Sequence, residues 1–397
     1  MIYLDNAATT RTAPEVVEEM LPFFTEKYGN PSGVYGTGRE AKEAVTKARD
    51  RIAALLGAKS DEVFFTSCGS EADNWAIVSA FEALKENGCH IITSKIEHHA
   101  VLRTCEYLER ERGARITYLD VDGDGRVRPE DVEAAITPDT VLVTIMAANN
   151  EIGTVQPVRE IGEMVHRHGV IFHTDAVQAF GQLPFTVDDW GIDMLSASGH
   201  KFNGPKGTGF LYIRKGTPVR AFLHGGAQEH NRRAGTENVP GIVGIGAAAK
   251  LAMDSLDEKV RQETELRDYL IREIETKIPN VRLNGSRDGR LPNNVNFSFE
   301  FVEGESLLIM LDMKGICVSG GSACSSGSLA PSHVLKAIGL SDSLARGALR
   351  MTLSAETTKE EIDTTVAALT ELVKKLRNMS PKYEGYLRGI EKSETAE

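Results

Sequence analysis

The runs Gly169-Val-Ile-Phe-His173-Thr-Asp175 and Ile192-Asp-Met-Leu-Ser-Ala-Ser198-Gly-His200-Lys201 decide how the chain reads. Each is a short apolar stretch that ends in a charged side chain, and short apolar stretches bounded by turn residues mark buried strands. Working outward, comparable runs occur at Val63 to Thr66, His90 to Thr93, Arg115 to Leu119 and Val141 to Ala147. Helical patterns separate them. The alternation predicts an α/β fold with a mainly parallel sheet flanked by helices. Such sheets bind ligands beyond the carboxyl ends of their strands, which is where Asp175 and Lys201 stand.

Toward the N-terminus, Thr12-Ala-Pro14-Glu15 has the form of a capping box, and Val16, Val17, Met20, Leu21 and Phe24 follow at helical spacing. A second helix runs from Glu40 through Ile52 and Leu56 until Gly57 stops it. After about residue 255 the pattern changes to charged helix, then the alternating strand Val295, Phe297, Phe299, then Gly315 to Ser319, then Leu349, Met351, Leu353. A last helix presents Ile362, Val366, Leu369, Val373 and Leu376. This reads as a smaller α+β domain followed by a polar tail from Ser380.

With 45 Lys and Arg against 57 Asp and Glu, the 397-residue chain carries a net charge of −12. No basic run stands out, so a nucleic-acid footprint is not expected. The start, MIYLDNAATT, lacks the basic and apolar regions of an export signal, and no apolar run approaches a membrane span, which makes the cytoplasm the expected location. Five cysteines form an odd set, and none shows metal-ligand spacing, so neither a disulfide framework nor a bound metal is expected. Asp120-Val-Asp122-Gly-Asp124-Gly125 imitates half of a calcium loop. A strand precedes it where a helix is required, so it reads as a turn before a helix begun by Pro129.

A third segment, Thr66-Ser-Cys68-Gly69-Ser70-Glu71, is a strand-to-helix turn whose backbone amides and Ser70 hydroxyl suit a phosphate. Taken singly, a strand-end Lys or Asp is more commonly a surface ion pair. Together, a lysine able to form a Schiff base, an acid for a pyridinium nitrogen and a phosphate cup are what pyridoxal phosphate (PLP) asks of a protein. Lys206 is the rival lysine, but Pro205 and Gly207 place it in a turn.

At this level of detail the chain resembles the cysteine desulfurases, the NifS/IscS-like branch of the class V aminotransferases. The likeness runs from Tyr3-Leu-Asp-Asn6-Ala-Ala-Thr-Thr through Tyr28-Gly-Asn-Pro-Ser32, Glu97-His98, Asn149-Asn-Glu-Ile-Gly153, His173-Thr-Asp-Ala-Val-Gln178, Ser198-Gly-His-Lys201 and Arg233-Ala-Gly-Thr236 to Gly321-Ser-Ala-Cys324-Ser-Ser. The resemblance implies a PLP-dependent transferase of fold type I acting as a homodimer. A large PLP-binding domain would span 15–257, a small domain would combine 1–14 with 258–379, and 380–397 would form the tail.

It also implies roles. Lys201 would hold PLP and later take the α-proton of L-cysteine. Asp175 would pair with the pyridine nitrogen, and His98 would stack on the ring and shuttle a proton as a catalytic residue. Asn150 and Gln178 would bond near the ring hydroxyl or the substrate carboxylate. Gly69, Ser70, Ser198 and His200 would bind phosphate, with Thr236 reaching in from the partner subunit, and Arg350 would clamp the substrate carboxylate. Cys324, in the small-residue segment Ser319 to Ser328 suited to a mobile arm, would take the sulfur as a persulfide and pass it on. The acceptor would be an iron-sulfur scaffold protein or another sulfur acceptor. Gly33-Val-Tyr35 departs from the family pattern, which has a histidine there, and Thr352-Leu-Ser-Ala-Glu356 lacks a second arginine after Arg350. A selenocysteine lyase and a non-catalytic PLP-fold scaffold stay open as alternatives.

Overall fold

The computed structural model describes residues 1–320 and 331–394. Cys324 lies outside the described residues. Strand β1 (Ile2–Tyr3) opens the chain. Seven strands then build the main sheet: β2 (Val63–Thr66), β3 (His90–Ser94), β4 (Arg115–Leu119), β5 (Thr140–Thr144), β6 (Ile171–Asp175), β7 (Met194–Ser198) and β8 (Gly209–Ile213). Their order is β2-β8-β7-β6-β5-β3-β4.

The pairs from β4 to β7 are parallel, as the alternation of runs and helices predicts. β8 is antiparallel to both β7 and β2 and is not among the expected strands. It follows β7 after only the lysine-bearing turn, and a connection without a crossover helix obliges an antiparallel return. Helices cover both faces. Gly36–Leu56 and the first half of Val239–Lys277 pack on one side, Gly69–Leu84 and His99–Arg112 on the other. Burial on both faces explains why these strands are continuous apolar runs rather than alternating ones.

The expected first helix is broken. Pro14–Met20 and Pro22–Thr25 are separate helices. Pro22 has no N–H to continue the ladder, and its ring collides with the preceding turn. The expected capping box is absent too: Ala13 is the N-cap and no side chain caps the helix, with Pro14 supplying the preset first turn.

A second sheet, antiparallel throughout, has the order β12-β13-β10-β9, with β9 (Val281–Leu283), β10 (Asn294–Phe299), β12 (Ser319–Gly320) and β13 (Ala348–Thr352). The N-terminal segment belongs with it. β1 pairs in parallel with β11 (Ile316–Cys317), Leu4 is buried in that core, and Asp5 bridges to Thr352. The helix Val239–Lys277 joins the two cores, with Val243 and Ala248 in the first and Leu270 and Ile274 in the second. Residue 257 falls within it, and we propose that this helix is shared by a large domain of 15–257 and a small one of 1–14 and 258–379. By length and composition alone one stretch of it is apolar enough to cross a membrane. Its apolar face is packed in protein, where a core helix of a large domain needs it.

The tail is helical over Pro381–Glu394, with Tyr383 and Tyr386 against Phe301 at ring distances of 5.5 and 5.0 Å. Asp122 accepts from the N–H groups of Asp124 and Arg126, so the calcium-like run is an Asx turn leading to the helix Pro129–Ala135.

Candidate active site

The carboxyl ends of β5, β6 and β7 carry a polar line on the face covered by helix Gly69–Leu84. Side chains alternate along a strand, so Ile171, His173 and Asp175 share a face, as do Met194, Ser196 and Ser198. The lower half of that face is apolar, with Leu142, Ile171 and Met194 against Trp75 and Ala76. The upper half opens into a cleft of about 350 Å³. Gly69, Ser70, His98, Asn150, Asp175, Gln178, Ser198, His200, Lys201 and Arg350 all line it. Thr236 does not; it is exposed on the segment that Arg233 ties to Glu71 at 2.7 Å. Cys324 is not described.

Lys201 ends the helical turn Gly199–Lys201 that closes β7. Its Nζ donates to the carbonyl oxygens of Ala7 and Ala8 at 2.6 and 2.8 Å. Gln178 Nε2 donates to the Ala7 carbonyl as well, at 3.1 Å, and Thr10 N–H donates to the His200 carbonyl at 2.8 Å. The N-terminal segment is thus laid along the lysine turn. Backbone carbonyls carry no residue signature, which is why sequence reading overlooks them. His200 is held at about 4 by burial and then by the neighbouring Lys201 and Lys206 charges, so its imidazole is neutral near pH 7.

Asp175 accepts from Val177 N–H at 2.9 Å. Burial pushes its carboxyl upward, and His98, the Val177 N–H and Lys201 oppose that push. His98 is the N-cap of His99–Arg112, and its Nδ1 accepts from Ala100 N–H at 3.1 Å. In the neutral ring this leaves the proton on Nε2. Asp73, which sequence reading overlooks, completes a trio: Asp73, His98 and Asp175 bring three ligand atoms within 4.8 Å of one another. The signal for Asp73 was a charge on the inner face of a helix among Ala72, Trp75 and Ala76.

The phosphate-like cup is built by the N-terminus of Gly69–Leu84. A Cβ at Gly69 would stand 2.6 Å from Val177 Cγ2, so only glycine lets that turn close on the strand. Cys68 caps the helix through Sγ, accepting from Glu71 N–H at 3.4 Å. Ser198 Oγ is buried there without a hydrogen-bond partner among the described residues. Arg350, on β13, lines the same cleft and is 1% exposed. It donates through Nη1 to the Asn150 carbonyl at 2.9 Å and through Nη2 to Asp5 Oδ1 at 2.8 Å, while its Nε has no partner among the described residues.

Two further acids flank the cleft. Glu97 accepts from Ser94 Oγ at 2.6 Å and Met146 N–H at 3.0 Å, and burial raises it to about 8. Glu151 accepts from Ser332 Oγ, and burial raises it to about 7. Glu97 therefore keeps a proton that an unfolded chain releases above about pH 4.3. Stability from this site is fully present below that pH and is lost as pH rises toward 8. Glu97→Gln has no such proton to lose. The unfolding free energy of the variant, followed by urea titration at a series of pH values, is expected to gain on the native chain between pH 4.5 and 8. Parallel curves would refute the assignment.

Residues 2–365 match the aminotransferase class-V family. The chain is 54% identical over 380 residues to "Cysteine desulfurase IscS" of Dictyoglomus turgidum, covering 96% of each chain. Among solved structures it resembles "NIFS-LIKE PROTEIN" with a TM-score of 0.88 and 40% identity, covering 94% of this chain and 99% of that one. It also resembles "SspA in complex with cysteine" with a TM-score of 0.80 and 40% identity, covering 90% and 100%. The cofactor of this family is PLP. The residues present fit it: a lysine and an acid at adjacent strand ends, a buried Ser198 hydroxyl with no partner among the described residues, and a helix N-terminus that Gly69 allows to approach. On this match and this site, the chain belongs to the class V aminotransferase family of PLP-dependent enzymes.

Proposed function

We propose that this protein is a cysteine desulfurase that converts L-cysteine to L-alanine and moves the sulfur to Cys324 as a persulfide. The single observation that carries the reading is that Lys201, Arg350 and Asp175 line one cleft. These are a proton-moving amine, a carboxylate clamp and a pyridine partner. When bound, PLP supplies an electron sink for the bonds at the substrate α-carbon. Gly69, Ser70, Ser198 and His200 would hold its phosphate, and Asp175 would hold the proton on its ring nitrogen.

Arg350 has Nε and the outer Nη hydrogens to offer a carboxylate, and a planar fork suits that group best. Lys201 takes the α-proton, for which its Nζ must leave the Ala7 and Ala8 carbonyls. Cys324 then supplies a thiolate. A sulfur–sulfur bond forms, the substrate carbon–sulfur bond breaks with its electron pair left on carbon, and protons complete alanine. The atoms balance as cysteine plus thiol giving alanine plus persulfide.

A homodimer and an iron-sulfur scaffold acceptor in the cytoplasm complete the reading. Support for the dimer comes from the exposed apolar side chains Leu21, Phe24, Tyr28, Val34 and Tyr35 near the N-terminus, together with the exposed Thr236. The four described cysteines are free thiols, which fits a reducing compartment. The test is to give the purified, PLP-loaded protein L-cysteine and follow alanine together with the mass of the Cys324 peptide. Alanine is expected with one added sulfur on that peptide. Alanine without the added sulfur would overturn the persulfide step, and a preference for selenocysteine beyond about 100-fold in kcat/KM would favour a lyase.

A further inference from the structure

Helix Gly69–Leu84 lies on the sheet through Ala72, Trp75, Ala76 and Ile77, the apolar face such contact requires. Asp73 interrupts that face. It is 1% exposed, and its Oδ1 has no hydrogen-bond partner among the described residues. The Ser196 hydroxyl is its nearest polar side-chain influence. Ser196 Oγ meets His173 Nε2 at 2.9 Å, and His173 Nδ1 meets Thr144 Oγ1 at 2.8 Å. Strand register sets this line, since Ser196 is opposite Asp175 and His173 opposite Thr144.

The line brings no cation. Burial holds the His173 imidazole down at about 3, so it is neutral, and its Nε2 stands 3.8 Å from Asp73 Oδ1. Around the two carboxyls, the other charged or titratable neighbours are His98 and Lys201 beside Asp175, Cys68 beside Asp73, and Glu97 near both. Two carboxyls within 4.8 Å in a buried site do not both ionise. The proton's place follows from the neighbours. Asp175 has the Val177 N–H, His98 and Lys201 to stabilise a charge, whereas Asp73 has a hydroxyl.

We propose that Asp73 is a positioning residue that keeps its proton and thereby fixes one negative charge on Asp175, the charge that would pair with the ring nitrogen of PLP. This rests on the PLP reading above and assigns Asp73 a task that acts through Asp175 rather than on substrate. An amide can take the place of a protonated carboxyl, because it is neutral and carries a donor; an aliphatic side chain cannot.

The test reconstitutes the cofactor-free protein with PLP and reads two quantities from the visible absorbance of the bound cofactor: the dissociation constant and the pH midpoint of the absorbance. Asp73→Asn is expected to bind within about 3-fold of the native protein with its midpoint unmoved. Asp73→Leu is expected to bind about tenfold more weakly with a displaced midpoint, since a change of about one pKa unit at Asp175 is a tenfold change in the balance of its charged form. Should Asp73→Leu not fold, Asp73→Ala carries the same expectation. If Asn is as harmful as Leu, Asp73 holds a charge and the proposal fails. If Leu is as harmless as Asn, Asp73 has no role and it fails equally. A native protein that takes up no PLP would sink the functional reading itself, a distinct result.

Discussion

Lys201→Ala is expected to purify folded and colourless, and to lose about 10⁴-fold in kcat/KM with L-cysteine, the upper end of what a positioned proton-transfer group contributes. The argument is local. Nζ is held at the cleft by two carbonyl oxygens, and the other lysine of the segment, Lys206, is exposed in the following turn. Folding should survive, because Lys201 contributes no apolar core and Ala7 and Ala8 keep their places through Thr352 Oγ1, which accepts from Ala7 N–H, and Asp5. The visible absorbance of bound PLP separates loss of attachment from loss of turnover. A variant that keeps both colour and rate would hand the role to another residue.

Arg350→Leu is expected to lower kcat/KM about 10³-fold, mostly through KM. Two charge-assisted hydrogen bonds to a carboxylate contribute roughly 1.5–3 kcal/mol each, and about 1.4 kcal/mol corresponds to tenfold. Because Arg350 is buried, its loss also leaves Asp5 without a counter-charge. Destabilisation of about 3–5 kcal/mol is the usual result of breaking such a pair, so unfolding must be measured beside kinetics. Arg350→Lys keeps the charge and loses the fork. It should recover stability more than affinity, and that split distinguishes a substrate clamp from a structural ion pair. A KM within tenfold of the native value in a folded Leu variant would remove Arg350 from substrate binding.

The parallel part of the fold was legible because its signals are local: each strand is an apolar run, and Asp175 and Lys201 end theirs within one segment. What escaped sequence reading depends on three-dimensional neighbours. β8 looks like any other apolar pentapeptide until its short connection to β7 reverses it. Asp73 reads as an ordinary helix acid until the helix is turned onto the sheet. The partnership of Asp5 with Arg350 joins opposite ends of the chain, and no periodicity announces it. The break at Pro22 is a different case, since a proline after Leu21 was visible and the apolar spacing overrode it. Arg350 itself was found through resemblance, not through any pattern around it.

The docking of the first ten residues has a practical consequence for anyone handling this protein. Ile2 and Tyr3 are already in a strand, Asp5 neutralises an arginine, and the carbonyls of Ala7 and Ala8 seat the lysine. A purification handle fused ahead of Met1 would pull on the segment whose Ala7 and Ala8 line the cleft, and trimming the first eight residues would unseat Lys201 and Arg350 together. The opposite terminus, beyond the helix ending at Glu394, is the safer place for a fusion.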